Sequence, residues 1–433
     1  MSTYFERNGL KTARAGLSGR SWCGGAAILL IASLLVAACG GSGSGSSSNS
    51  ATTGAQGGAT AAKPATGDPF VIGWTDSQTG ATGPGYLATG IAGLQTYVTS
   101  LNNRGGVFGR PIKLEVLDDR GDPSAAVTNF RQLADGKSLA VFGSSTSTYA
   151  AAQAPLANEL KLALVAGGVP DALIYPPQKY FFASNLAHTA SAQVQLDYAA
   201  GLMKEAGVSK PKVAVFTVDT ASAKEFRAYV EKKVGEMSWT QVQSQIYKIG
   251  DTDLSAQMSA IARSEPDVVI TLVGSNDVRL FVGQLRQRGM NKPIINTYAG
   301  SDEPVFTQLK DDKFFAPRSF VWPTDSVAAD MATQAKSAGQ ADQMVSTYFT
   351  RGYVLGQLIE ATLNACGKDC DRAKFRDALE TVKEIDAKGL SGRLSLGPDD
   401  HQLVSSAQMF KWDGQKGHSA AVSDWIDAEA KSR

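Results

Sequence analysis

Residues 112–165 read IKLEVLDDRGDPSAAVTNFRQLADGKSLAVFGSSTSTYAAAQAPLANELKLALV. Ile112, Leu114 and Val116 alternate with Lys113 and Glu115, the period of two that sets one face of a strand on a core. Ala126, Val127, Phe130 and Leu133 then recur at helical spacing. The apolar run 140–143 predicts a second strand, the hydroxyl-rich 144–148 a loop, 150–160 a second helix and 162–165 a third strand. Strands separated by helices of this length predict a parallel sheet covered on both faces.

The same cycle extends outward. Upstream, 70–73 is a short apolar strand, 79–85 a Gly-rich loop, and Leu87, Ile91, Leu94, Val98 and Leu101 form a helical stripe. Downstream the cycle restarts: a strand over 213–217, a helix with Phe226, Tyr229, Val230 and Val234, a strand over 268–272, a helix with Phe281, Val282 and Leu285, and a strand over 293–296. Two runs separated near 184–192 predict an α/β protein of two Rossmann-like lobes with parallel sheets. Ligands of such sheets lie beyond the carboxyl ends of the strands, at helix N-termini.

Composition narrows the class. The chain has 433 residues, 43% of them apolar and 19% charged, which excludes a disordered chain. Taking the four cations and one carboxylate of residues 1–38 from the overall +1 leaves −2. A weakly acidic body offers no field for a phosphate backbone, so no nucleic acid partner is expected.

The N-terminus sets the compartment. Basic residues up to Arg20 precede an apolar run over 26–38, too short for a bilayer span and fitting the middle of a secretory signal. The run ends Leu35-Val36-Ala37-Ala38-Cys39, which resembles the bacterial lipobox: cleavage before Cys39 and lipidation of its thiol. Residues 40–67 are rich in Gly, Ser, Ala and Thr, with one charge, Lys63, and bury too little surface to offset their ordering entropy. They read as a flexible tether with a reach of roughly 30 Å. The expected location is the extracytoplasmic face of the cell envelope, on a lipid anchor. Of the remaining cysteines, Cys366 and Cys370 lack metal or redox spacing. Gly367 ends a helix well, and a helix end there allows the pair to form a disulfide.

Short signatures in a fixed order carry a resemblance. They are Thr82-Gly83-Pro84, Gly93 before Asn102, the GGVFGRPI of 105–112, Asp118-Asp119, the DPSAAV of 122–127, Gly143 before Thr146-Ser147, and Pro155. The DLSAQ of 253–257, the PDVV of 266–269, Gly392 and the FKWDG of 410–414 complete the series. In order over 70–415, the chain resembles the leucine/isoleucine/valine-binding family, the solute receptors of ABC importers with the type 1 periplasmic fold. The resemblance implies three interlobe crossovers, placed near 184–192, 316–323 and 390–397. It divides the chain into a signal peptide (1–38), a lipidated Cys and tether (39–68), one lobe from 69–187 and 319–393, and another from 188–318 and 394–433. It implies a small-molecule ligand and an ABC permease as partner.

Candidate ligand contacts follow. Ser145, Thr146 and Ser147 lie between a strand and a helix, where hydroxyls and free N–H groups can seat a carboxylate, or simply cap the helix. The resemblance implies a ligand carboxylate at Thr146 and Ser147, and an aromatic contact at Tyr86. Gly167 and Gly168 end the next strand, as a tight turn or a place of close ligand approach. In the second lobe the chain departs from the family: Asp219 leads to Ser222-Ala223 where a Tyr-Gly pair is usual, and no carboxylate aligns with the ammonium partner. Asn276, Asp277, Tyr298 and Asp302 stand near that place, and Asp219, Ser222, Asn276 and Tyr298 are the candidates. The expected ligand is a small carboxylate or amide, with an amino acid included.

Enzyme readings lack parts. His188, His401 and His418 form no metal pair, no G-x-S-x-G elbow occurs, and Gly136-Lys137-Ser138 fails as a phosphate loop because Arg131 replaces the first Gly. No cofactor is expected. A lipoprotein that reports to a receptor would use the same lobes.

Overall fold

Phe70–Asp76 (β1) is buried along its whole length because it runs through the middle of a five-stranded sheet. Its neighbours are Ile112–Asp118 (β2) and Ala140–Gly143 (β3), followed outward by Ala163–Ala166 (β4) and Phe181–Ala183 (β5). The order is β2-β1-β3-β4-β5, all parallel. The computed structural model describes residues 63–80, 83–248 and 250–428. Cys39 and the signal and tether segments up to residue 62 lie outside the described residues.

Helices Ala88–Asn103 (α1), Pro123–Asp135 (α2) and Ser147–Glu159 (α3) connect these strands. Asp122 caps α2, accepting from Ser124 N at 2.7 Å, with Pro123 in the first turn where its missing N–H costs nothing. Thr146 caps α3, its hydroxyl accepting from Tyr149 N at 3.4 Å.

His188–Glu205 (α4) leads into the second lobe. Its strands are Lys212–Val218 (β6), Thr240–Tyr247 (β7), Val268–Leu272 (β8), Ile294–Ile295 (β9) and Phe314–Arg318 (β10). They alternate with Ala221–Glu236 (α5), Ser255–Arg263 (α6), Ser275–Gln287 (α7) and Glu303–Leu309 (α8). Helices Ala329–Ser337 (α9), Thr347–Cys366 (α10) and Arg372–Leu379 (α11) follow, and α10 packs on α1 of the first lobe. The chain closes with Ser406–Asp413 (β11), His418–Ala421 (β12) and Ile426–Asp427 (β13).

The second sheet corrects the expectation of two parallel sheets. Its order is β12-β11-β10-β9-β8-β6-β7, with β13 also on β11. β11 runs antiparallel to β10, and β12 to β11. The tight turn around Gly417, with φ +72°, lets β12 fold straight back, which no parallel pair permits.

Three connecting segments run side by side. Ala183 N donates to His401 O, and Leu403 N to Ala183 O, each at 2.8 Å. Phe320 bridges Ser391, and Val321 N donates to Leu390 O at 3.0 Å. Cys366 and Cys370 form the disulfide, and α10 ends at Gly367, whose φ of +90° breaks the helix between them. Among the described residues no helix is long and apolar enough to cross a membrane.

Candidate ligand cleft

The carboxyl end of β1 delivers Asp76 into the interior, 1% exposed. Ser77 N and Ser145 N each donate to its Oδ1 at 3.1 Å, and the Ser145 hydroxyl donates to Oδ2. The same hydroxyl accepts from Arg351 Nη2 at 2.7 Å, with the guanidinium 4.0 Å from Asp76 Oδ2. Arg351 projects from α10 and lies 4.6 Å over the Tyr348 ring. Tyr348 packs on Tyr86, ring centroids 4.6 Å apart. Burial raises the pKa of both phenols, which therefore stay protonated donors.

Beyond Arg351 lies a cavity bounded by both lobes. Thr347, Tyr348 and Arg351 come from α10, while Tyr298 and Ser301 precede α8. Asn185 and Phe320 belong to the connecting segments. Arg318, the last residue of β10, and Ser319 complete the wall. Asp302 stands behind it, its carboxylate accepting from Ser346 and Thr347 hydroxyls at 3.4 Å each across the lobes. Burial raises its pKa against the pull of Arg318. His188, at the start of α4, stacks on Tyr298 at 5.9 Å.

The structure sorts the sequence candidates. Tyr298 lines the cavity. Tyr86 and Ser145 sit one step behind it, through Tyr348 and Arg351. Gly167 serves a side chain of the protein: a Cβ there would fall 1.8 Å from Arg351 Nη1. Gly168 makes room for the backbone of the loop, since its Cβ would meet the Thr146 carbonyl carbon at 2.1 Å. Thr146 is spent on capping, and Ser147 opens α3 without entering the cavity wall. Asp219 and Asn276 are exposed, and Ser222 lies beside the α5 cap Thr220, so these three stay out of the wall.

Sequence reasoning missed Asp76, Asn185, Arg318, Tyr348 and Arg351, and noted Asp302 without choosing it. One signal was available for Arg351: α10 reads TYFTRGYVLGQLIEATLNAC, where this residue interrupts an otherwise uncharged stretch up to Glu360. A cation inside such a run must be paired or serve a site.

Two buried groups titrate with opposite sign. Burial pushes the Asp76 carboxyl from 3.8 up to about 6, against Arg351 and the Ser145 bonds. The native state thus binds more protons than the unfolded chain between these values, and this contribution to stability falls as pH rises through them. Burial alone lowers His188 from 6.5 to about 4. The native state binds fewer protons there, so its contribution falls as pH drops from 6.5 to 4. The two nearly cancel. Relative to wild type, Asp76→Asn is expected to lose about 3 kcal/mol on acidification through this window, and His188→Phe to gain about as much. Urea unfolding at four pH values between 4 and 7 checks both; parallel profiles for all three proteins would show that neither group titrates there.

Residues 69–418 match the sequence profile of the family described as periplasmic binding protein. The chain belongs to this family. A Leu/Ile/Val-binding protein, BraC3, of Rhizobium johnstonii is 24% identical over 325 residues, covering 75% of this chain and 86% of the relative. The branched-chain amino acid transporter substrate-binding protein LivJ of Streptococcus pneumoniae, solved with isoleucine, superposes with a TM-score of 0.68 at 20% identity, covering 83% of this chain and 100% of LivJ. An ABC-transporter solute-binding protein of Rhodopseudomonas palustris, solved with 3,4-dihydroxybenzoic acid, gives 0.69 at 18% identity, covering 84% of this chain and 98% of that one. Periplasmic binding proteins of this fold therefore accept chemically different small molecules, and the wall around Arg351 has to be read for itself.

Proposed function

We propose that this chain is an extracytoplasmic solute-binding lipoprotein that captures a small amino-acid-like, carboxylate or amide solute between its lobes and delivers it to an ABC importer permease. The observation that carries the reading is a cavity with walls from α10, from the segment before α8 and from the connecting segments, lined by a buried, incompletely partnered Arg351. A solute touching both lobes binds the closed arrangement better than an open one, and that difference shifts the population. The permease would then recognise the closed form. Nothing in this reading requires the solute to be altered, so the protein acts as a receptor and not as an enzyme.

The leader supports the location. With residues 1–38 removed and Cys39 diacylated, two acyl chains hold the body at the membrane firmly, where one would hold it only marginally. Residues 69–187 with 319–393, and 188–318 with 394–433, are the two moving bodies of this proposal.

Native mass spectrometry of freshly purified protein is expected to show a bound small molecule. Thermal-shift screening is expected to show stabilisation by amino acids, aromatic acids or short amides. Stabilisation by sugars or polyamines alone would overturn the ligand class. Deletion of the gene is expected to abolish uptake of the stabilising solute, and Cys39→Ser to release the protein from membranes.

A further inference from the structure

We infer that Arg351 is the seat for an anionic group of the ligand, so that the solute held in this cleft carries a carboxylate. The inference rests on the reading of the chain as a solute receptor and narrows its ligand class, excluding amides.

The first part of the hydroxyl loop after β3 is already taken. Its Ser145 N–H and hydroxyl already hold a carboxylate, that of Asp76, and the Thr146 hydroxyl caps α3. The protein has filled that anion seat with a side chain of its own.

Arg351 is the reverse case. It is 1% exposed, and its Nη2 is engaged by Ser145, but Nε and Nη1 find no acceptor among the described residues. Buried guanidinium donors without partners forfeit their hydration, a cost that a planar carboxylate would offset with charge-assisted bonds. Asp76, at 4.0 Å, offsets part of the charge without reaching these donors. The guanidinium is also held for the purpose. The Tyr348 ring supports one face, and the bare Cα of Gly167 leaves the space that Nη1 occupies. Arg318 also lines the cavity, but its Nε, Nη1 and Nη2 are all engaged by Ser301, Ser419 and Glu303, so Arg351 is the guanidinium with donors to spare. Tyr298, Phe320 and Tyr348 bring rings that suit an apolar or aromatic body behind the carboxylate.

The test uses the mature protein and matched acid–amide pairs: benzoate with benzamide, 4-methylpentanoate with 4-methylpentanamide, leucine with leucinamide. By calorimetry, at least one acid is expected to bind, with its amide about 100-fold weaker. Arg351→Gln, with its fold checked by circular dichroism, is expected to weaken the acid by the same factor and leave the amide unchanged. An amide binding as tightly as its acid to the wild type overturns the inference whether or not the variant folds, and so does a folded Arg351→Gln that keeps the acid's affinity. Binding of uncharged solutes only would also overturn it while leaving the solute receptor standing. Failure of every solute, with no co-purified molecule, removes the receptor reading and this inference with it.

Discussion

Gly352→Val is expected to destabilise the first lobe by about 3 kcal/mol or more, at or beyond the upper end of ordinary overpacking. α1 and α10 meet backbone to backbone: a Cβ on Gly352 would fall 1.8 Å from Gly90 O, and one on Gly93 1.9 Å from Phe349 O. Gly356 repeats the pattern against the Tyr97 ring at 2.6 Å. In the first two cases the obstacle is a main-chain carbonyl, which cannot swing aside as a side-chain tip can, so the helices must separate. Separation would strip Trp74, fully buried beneath α1, of part of its packing. It would also carry Tyr348 and Arg351 out of register with Ser145. A matched control has the opposite sign. Gly201 on α4 and Gly283 on α7 have no neighbour within 4 Å of a Cβ, so alanine there is expected to add about 0.5–1 kcal/mol through helix propensity. Denaturant unfolding of the three variants decides the matter; a Gly352→Val protein as stable as the Gly201→Ala protein would refute the close-contact account.

The contrast between what was legible and what was not has a physical cause. β1, β3, β4, β6 and β8 announce themselves as apolar runs because both faces are covered, and α2 is framed by a cap and a proline. β7 gives no such signal: it is an edge strand whose residues are mostly half-buried or exposed, with Ile246 45% exposed, and its order comes from pairing with β6. The reversal at β11 is likewise set by an edge and a turn, features that apolar periodicity does not encode. In the cleft, Ser145 and Tyr298 could be flagged because each follows a strand of its own lobe. Arg351 reaches Ser145 across a sequence separation of 206, through a helix of the returning chain. Local spacing contains nothing of such a contact. Asp76 was invisible for the same reason, since the loop's carboxylate partner is a side chain 69 positions upstream.

Glu303→Leu is expected to cost about 3–5 kcal/mol, because it strands a buried guanidinium. Arg318 ends β10 and is 2% exposed. It donates from Nε to Ser301 O at 2.6 Å, from Nη1 to the Ser419 hydroxyl at 2.9 Å and from Nη2 to Glu303 Oε2 at 3.1 Å. The rings of Phe306, Trp322 and Phe410 surround it at 5.1, 5.5 and 4.6 Å. Glu303 is the only full countercharge hydrogen-bonded to it among the described residues, and its Oε1 also accepts from Ser419 N at 2.7 Å. Burial lowers the Arg318 pKa while Glu303, and after it Asp302 and Asp325, raise it, so removing Glu303 takes away the largest of the opposing charges. The double variant Glu303→Leu/Arg318→Met removes charge and countercharge together and is expected to recover much of the loss. A thermodynamic cycle of the two singles and the double measures the coupling, and additive costs would show that the pair does not interact. The pair joins α8, β10 and β12 at the point where the chain leaves for the first lobe, and Arg318 itself lines the cavity between Ser301 and Phe320. Loosening it should therefore weaken solute binding as well as stability, whereas Gly352→Val damages the wall from the opposite lobe.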